Sequence, residues 1–161
     1  MRYLWKVIMT ACLLASLTQM AQAAEDHHVQ QDSVLVQMFK WFNGAFTEEE
    51  KFTEEDFARY FTDDIVFVLN GKRSPKGLKS LTERFNTLKE NYHVIEIKLP
   101  MEEEFSAGDK IFTYHLNRGQ TLKDDPMSGF SHVMGYVVIK GGKIDLLNFL
   151  DYTAPEKTAT P

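Results

Sequence analysis

The chain has a single cysteine, Cys12, and it lies in an apolar leader that the mature protein is expected to lose. What remains carries no thiol. Disulfides, thiol nucleophiles and thiolate metal sites are thereby excluded, and the fold must be held by its core alone. A chain of this size manages that, since ~68–70% of the unfolded surface is buried on folding at ~150 residues. There is no surplus of positive charge either: 18 Lys and Arg stand against 23 Asp and Glu. Losing Arg2 and Lys6 with the leader makes the mature chain more acidic still, which argues against nucleic acid or an anionic membrane surface as partner. No apolar run reaches the roughly 20 residues that cross a bilayer, so no membrane span is expected after cleavage. A phosphate-binding glycine loop is missing as well. Gly71-Lys72-Arg73-Ser74-Pro75 is basic but lacks that spacing, and it reads as a turn plus helix cap. No internal repeat or low-complexity segment is present.

The ends read as processing and tail. Arg2 and Lys6 precede the apolar run Val7 to Leu17, and Ala21-Gln22-Ala23 is a small-x-small cleavage pattern. Residues 1–23 are therefore expected to be a secretory signal peptide, cut before Ala24, which makes the protein periplasmic or secreted. Residues 24–31 are polar and carry His27-His28, read as solvated. Residues 154–161 hold two prolines and are expected to fray. One domain, 32–153, lies between.

Within that domain the organising stretch is Phe130 to Tyr152. Two β-rich runs flank Gly141-Gly142, a strong hairpin signal because both central residues can take positive φ. A two-residue turn pairs Lys140 with Lys143 and fixes the register. It sets Val137 against Leu146, Gly135 against Asn148, Val133 against Leu150 and His132 against Asp151. Both faces are mostly apolar, so the hairpin is expected to be covered on both sides.

Upstream, Asp32 to Phe46 has apolar residues at helical spacing, capped by Asp32 or Ser33. Thr53 starts a short acidic-fronted helix. Thr62-Asp63-Asp64 reads as a turn and Ile65 to Leu69 as a strand. A third helix is expected from Ser74-Pro75 to about Asn91, with the stripe Leu78, Leu81, Phe85, Leu88. His93 to Leu99 alternates as a strand with one wet face. Met101 to Asp109 reads as an acidic turn region, and Lys110 to Arg118 as a strand with Ile111, Thr113, His115 and Asn117 on one face. Gly119 to Gly129 reads as a polar surface loop, with cover of a pocket mouth as the alternative. The layout is α+β: three N-terminal helices on one face of a curved, mostly antiparallel sheet, its last four strands joined in antiparallel connection.

In this order and spacing the chain resembles the nuclear transport factor 2-like superfamily, and in particular its SnoaL-like, polyketide cyclase-like branch. Phe42-Asn43-Gly44-Ala45-Phe46 is similar to the end of the family's first helix. Tyr60-Phe61-Thr62-Asp63-Asp64-Ile65-Val66-Phe67 is similar to its phrase before the first strand. Gly77, the Val137-Val138-Ile139-Lys140-Gly141-Gly142-Lys143-Ile144 hairpin and Asp151 complete a match over Val34 to Tyr152. The resemblance implies a cone-shaped fold around a cavity and dimerisation through the sheet. The apolar second face of the hairpin supports a homodimer on its own account.

Function does not follow from fold. Relatives that isomerise steroids use a tyrosine and two acids, and the matching positions here are Met38 or Phe39, Leu69 and Gly135. None has the needed group. Polyketide cyclase-like relatives use a carboxylate with a histidine, and the hairpin register offers His132 opposite Asp151 as a candidate acid/base pair. A bulge would separate the two. Trp41, His115, Asn117, Ser131, Tyr136 and Asn148 are candidate ligand-binding residues, with Gly135 opposite Asn148 leaving room for a small molecule. No metal site and no cofactor is expected, because His93, His115 and His132 are scattered and lack acids at ligand spacing. The reading that results is an exported homodimer binding a small apolar or mixed molecule in the cone. The alternatives are a cyclase, isomerase or hydratase using His132 and Asp151, and a non-catalytic interaction module of the cell envelope.

Overall fold

Local sequence signals set the helices. The structure, a computed structural model, describes residues 32–153. The expected signal peptide, His27-His28 and the tail lie outside the described residues. Helix α1 spans Val34–Phe46, and the Ser33 hydroxyl caps it by accepting from the Val36 N–H at 3.2 Å. Its buried side is Leu35, Met38, Phe39, Phe42 and Phe46. Helix α2, Glu54–Ala58, opens on a capping box in which Thr53 and Asp56 satisfy each other's backbone N–H groups. Strand β1 (Phe61–Leu69) and the short β2 (Lys72–Arg73) follow, then helix α3 (Leu78–Asn91). Strands β3 (Val94–Ile97), β4 (Glu103–Ala107), β5 (Lys110–Gln120), β6 (Ser131–Lys140) and β7 (Lys143–Tyr152) complete the chain.

The sheet runs β2-β1-β7-β6-β5-β3, with β4 also paired to β5. All ladders are antiparallel except β1 with β7. β3 and β4 share one edge of β5 end to end, β4 against Lys110 to Tyr114 and β3 against Asn117 to Gln120. The helices cover one face, and Phe42, Phe52, Phe57 and Phe85 interlock there at ring separations of 5.2–5.9 Å.

Side-chain amides tie layers together. Asn43 on α1 donates Nδ2–H to the Ile97 carbonyl at 2.8 Å and accepts the Ile97 N–H at 2.9 Å. It completes β3 as a neighbouring strand would. Asn43→Ala leaves both backbone groups of a buried residue unpaired, so a loss of about 2 kcal/mol is expected in denaturant unfolding. A change below about 0.5 kcal/mol would mean that water replaces the amide.

Four sequence expectations need correction. Thr62-Asp63-Asp64 lies inside β1, where the pairing with β7 jumps from Phe61↔Ile144 to Val66↔Leu146. Helix α3 begins at Leu78 with Gly77 as its cap residue, because Ser74 and Gly77 donate their N–H groups to Phe67 and Ile65 of β1 and hold that segment extended. The acidic stretch after Met101 contains β4, so five strands follow α3. Most consequential is the hairpin. Gly141 and Gly142 take φ +58° and +77° in the two-residue turn, and Ile139 does face Ile144. Asp145 then leaves the ladder, its carboxylate accepting the Thr62 hydroxyl at 2.6 Å. Beyond this bulge every pair is shifted by one: Val137 faces Leu147, Gly135 faces Phe149, Val133 faces Asp151 and His132 faces Tyr152. Within the chain the hairpin is covered on one side, and Met134, Leu150 and Tyr152 on the other are 54%, 60% and 61% exposed.

Candidate binding cavity

Strand register decides which side chains face the helices. Opposed residues share a face, so His115, Val133 and Asp151 form one inward row across β5, β6 and β7, and Asn117 with Ser131 forms the next. A cavity of about 670 Å³ lies between this face and the helices. Met38, Phe39 and Phe42 of α1, Phe85 and Leu88 of α3, and Phe149 of β7 supply much of its apolar wall. Its charged and polar wall includes Arg84, His115, Asn117, Ser131 and Asp151, joined by Arg118.

His115 is 1% exposed, with Phe39 at 4.8 Å and Phe149 at 5.4 Å between ring centroids. Its Nδ1 lies 3.1 Å from the Thr113 hydroxyl. Burial lowers its pKa to about 4, so the ring is neutral at pH 7 and a weak base. Asp151 is held through its backbone, whose N–H donates to Asn70 Oδ1 at 2.8 Å. The Asp151 Oδ1 and Asn117 Oδ1 atoms are buried with no hydrogen-bond partner among the described residues. The same is true of Arg84 Nε, whose guanidinium lies over the Phe67 ring at 4.5 Å. Arg118 is different: its Nε donates to Glu96 at 2.6 Å, and its guanidinium covers Phe130 at 4.9 Å. Thr121, Ser128, Gly129 and Phe130 also line the cavity, so the segment read as a surface loop contributes to its wall.

Of the expected site residues, His115, Asn117, Ser131 and Asp151 line this cavity and the others do not. His132 points to the outer face, where its Nδ1 lies 2.7 Å from the Tyr114 hydroxyl. The bulge at Asp145 puts it on the opposite side of the sheet from Asp151, so the His132–Asp151 pair does not exist. Tyr136 and Asn148 face each other on that outer side. Trp41 belongs to the aromatic packing of α1 and α2, stacked on Tyr60 at 5.3 Å under the Arg59 guanidinium. The space expected beside Gly135 is filled by Phe149, its cross-strand partner after the shift. Arg84 is a further polar wall residue, and its sequence signal is its place three residues after Leu81 and four before Leu88 on the apolar stripe of α3. Among the described residues no three His, Cys, Asp or Glu side chains gather as a metal site.

Three helices on a curved sheet, closed around an apolar cavity, make up the nuclear transport factor 2-like cone. Solved structures place the chain in that fold. A nuclear transport factor 2-like protein of unknown function from Exiguobacterium sp. 255-15 superposes with a TM-score of 0.58 at 20% identity, over 74% of this chain and 96% of the other. A proposed isomerase of the SnoaL-like family from Agrobacterium tumefaciens str. C58 gives 0.55 at 11% identity, over 73% and 97%. TerC, co-crystallized with polyporic acid, gives 0.56 at 11% identity, over 75% and 88%. At these identities the likeness is one of fold. No known family profile matches the sequence, and no curated protein matches it.

Proposed function

We propose that this is an exported homodimer that binds one small, largely apolar molecule in its cone. The observation that carries the reading is the cavity itself. About 670 Å³ falls in the range of ligand sites, the walls are mostly aromatic and aliphatic, and buried polar atoms of Arg84, Asn117 and Asp151 inside lack partners among the described residues. Buried polar groups are costly without hydrogen bonds, so a ligand that supplies them gains affinity and orientation together. That a fold neighbour was crystallized with polyporic acid agrees with this use of the fold.

Export rests on the leader sequence, and dimerisation on the outer face of the sheet. Phe105, Met134, Leu150 and Tyr152 are 59%, 54%, 60% and 61% exposed there, around Phe112 and Tyr136. Phe105 stacks on Phe112 at 5.0 Å. A second copy of the same face would bury this patch. The acid/base reading built on His132 and Asp151 loses its support, because the two side chains lie on opposite faces of the sheet.

Native mass spectrometry of the protein purified from the exported compartment tests all three parts. The expected species is a dimer of chains shortened by the leader, carrying a defined extra mass that is lost on denaturation. A full-length chain would remove the export reading, and a monomer would remove the dimer. A bare protein that also fails to bind apolar fluorescent dyes would remove the binding reading. The paired change Met134→Lys with Leu150→Lys is expected to give a monomer with the cavity intact.

A further inference from the structure

The charges in the cavity are unevenly matched. Arg84 projects from α3, on the helical wall, and makes no ion pair or hydrogen bond with any described residue. Arg118 also lines the cavity, but Glu96 already holds it. Across the cavity, on the sheet wall, the unpartnered buried oxygens of Asp151 and Asn117 are both acceptors. Arg84 packs over Phe67, which pairs with Leu147, and Asp151 lies four residues further along the same strand. That is roughly 13 Å along β7 at the usual strand rise. The two charged groups are therefore set apart by an apolar floor that includes Phe149.

We propose that the cavity takes an elongated aromatic acid, whose anionic group pairs with Arg84 and whose distal hydroxyl or amine donates to Asp151 or Asn117. This rests on the binding reading and adds the chemistry of the ligand to it. A guanidinium presents a rigid fork of donors that matches a carboxylate with two hydrogen bonds. Its planar face already lies against an aromatic ring, so its position is held before the ligand arrives. Burial lowers the proton affinity of Arg84, and no described acid offsets this. An incoming anion is the group that would. The acceptor pair on the far wall has the opposite need, a donor, and an apolar body between the two ends suits the aromatic walls.

The test uses 6-hydroxy-2-naphthoate, its neutral amide, and 2-naphthoate, which lacks the hydroxyl. All three are titrated by intrinsic fluorescence into the full mature protein at pH 7.5. The wild type is expected to bind the hydroxy acid at least ~10-fold more tightly than the amide, and also more tightly than 2-naphthoate. Arg84→Gln should erase the preference for the acid over the amide. Asp151→Asn should narrow the preference for the hydroxylated acid. Equal binding of acid and amide by the wild type would overturn the charge assignment and leave the binding reading standing. So would an acid preference that survives in Arg84→Gln. If none of the three binds, this inference falls, and the binding reading falls with it only where apolar fluorescent dyes fail to bind as well. The comparison among ligands needs only the wild-type protein, so it decides the matter even if a variant does not fold.

Discussion

Gly135→Ala should be the most damaging single methyl addition in the hairpin. A Cβ built at Gly135 would lie 2.0 Å from the Asn148 carbonyl oxygen, 2.8 Å from Phe149 Cδ1 and 2.9 Å from Phe149 Cα. Two of these atoms are backbone of the neighbouring strand, so no side-chain rotation removes the clash. β6 and β7 would have to separate by more than 1 Å at the centre of the sheet. Phe149 would also be displaced, and it is buried against His115 and in the cavity wall. Overpacking usually costs about 1–3 kcal/mol, and a clash fixed to backbone belongs at or above the top of that range. A loss of about 3 kcal/mol or more is expected from urea unfolding. Gly44→Ala is the control. Gly44 lies in α1 with nothing within 4 Å of its missing Cβ and no positive φ. There the change should stabilise by about 0.5–1 kcal/mol. If Gly135→Ala costs less than about 1 kcal/mol, the strands are not held as closely as described.

The same position shows where sequence reasoning stops. Gly135, the hairpin turn and the alternation of β5 are all legible, because they depend on residues near one another in the chain. The register beyond Asp145 is not. It depends on a hydroxyl contributed by Thr62, more than eighty residues earlier, which draws one residue out of the ladder. One slip exchanges the faces of everything after it. His132 leaves the cavity side relative to Asp151, and Asn148 moves outside while Phe149 takes the place across from Gly135. β5 carries no such slip, and so His115 and Asn117 face inward as alternation from Phe112 to Asn117 implies. β4 is not legible for another reason. Its Glu103-Glu104 resembles a solvated turn, and only the free edge of β5 makes it a strand. Arg84 is not legible as a cavity residue because a long charged side chain on an apolar stripe ordinarily reaches past it to solvent.

Acidification should reveal His115. In the folded protein burial holds its pKa at about 4, against 6.5 for the ordinary group. Between those values the unfolded chain binds the proton and the folded chain does not, so stability falls as pH falls from about 6.5 toward 4. Above the ordinary value the ring is neutral in both states and contributes no slope. The shift corresponds to about 3 kcal/mol when the whole window is crossed. The other charged groups of the cavity, Arg84, Arg118 and Asp151, are not among the causes of the shift, which is desolvation by Phe39, Phe149 and their neighbours. Denaturation midpoints at pH 7.5 and pH 4.5, for the wild type and for His115→Leu, isolate the term. The leucine variant keeps an apolar group in the site, and the Thr113 hydroxyl retains Met101 Sδ at 2.8 Å as a contact. Between the two pH values the wild type should lose about 2–3 kcal/mol more than the variant does. Equal losses would mean that the imidazole is solvated or charged in the folded state. The cone would then hold a polar ring ready to exchange protons, and the case for a passive binding cavity would lose its main electrostatic support.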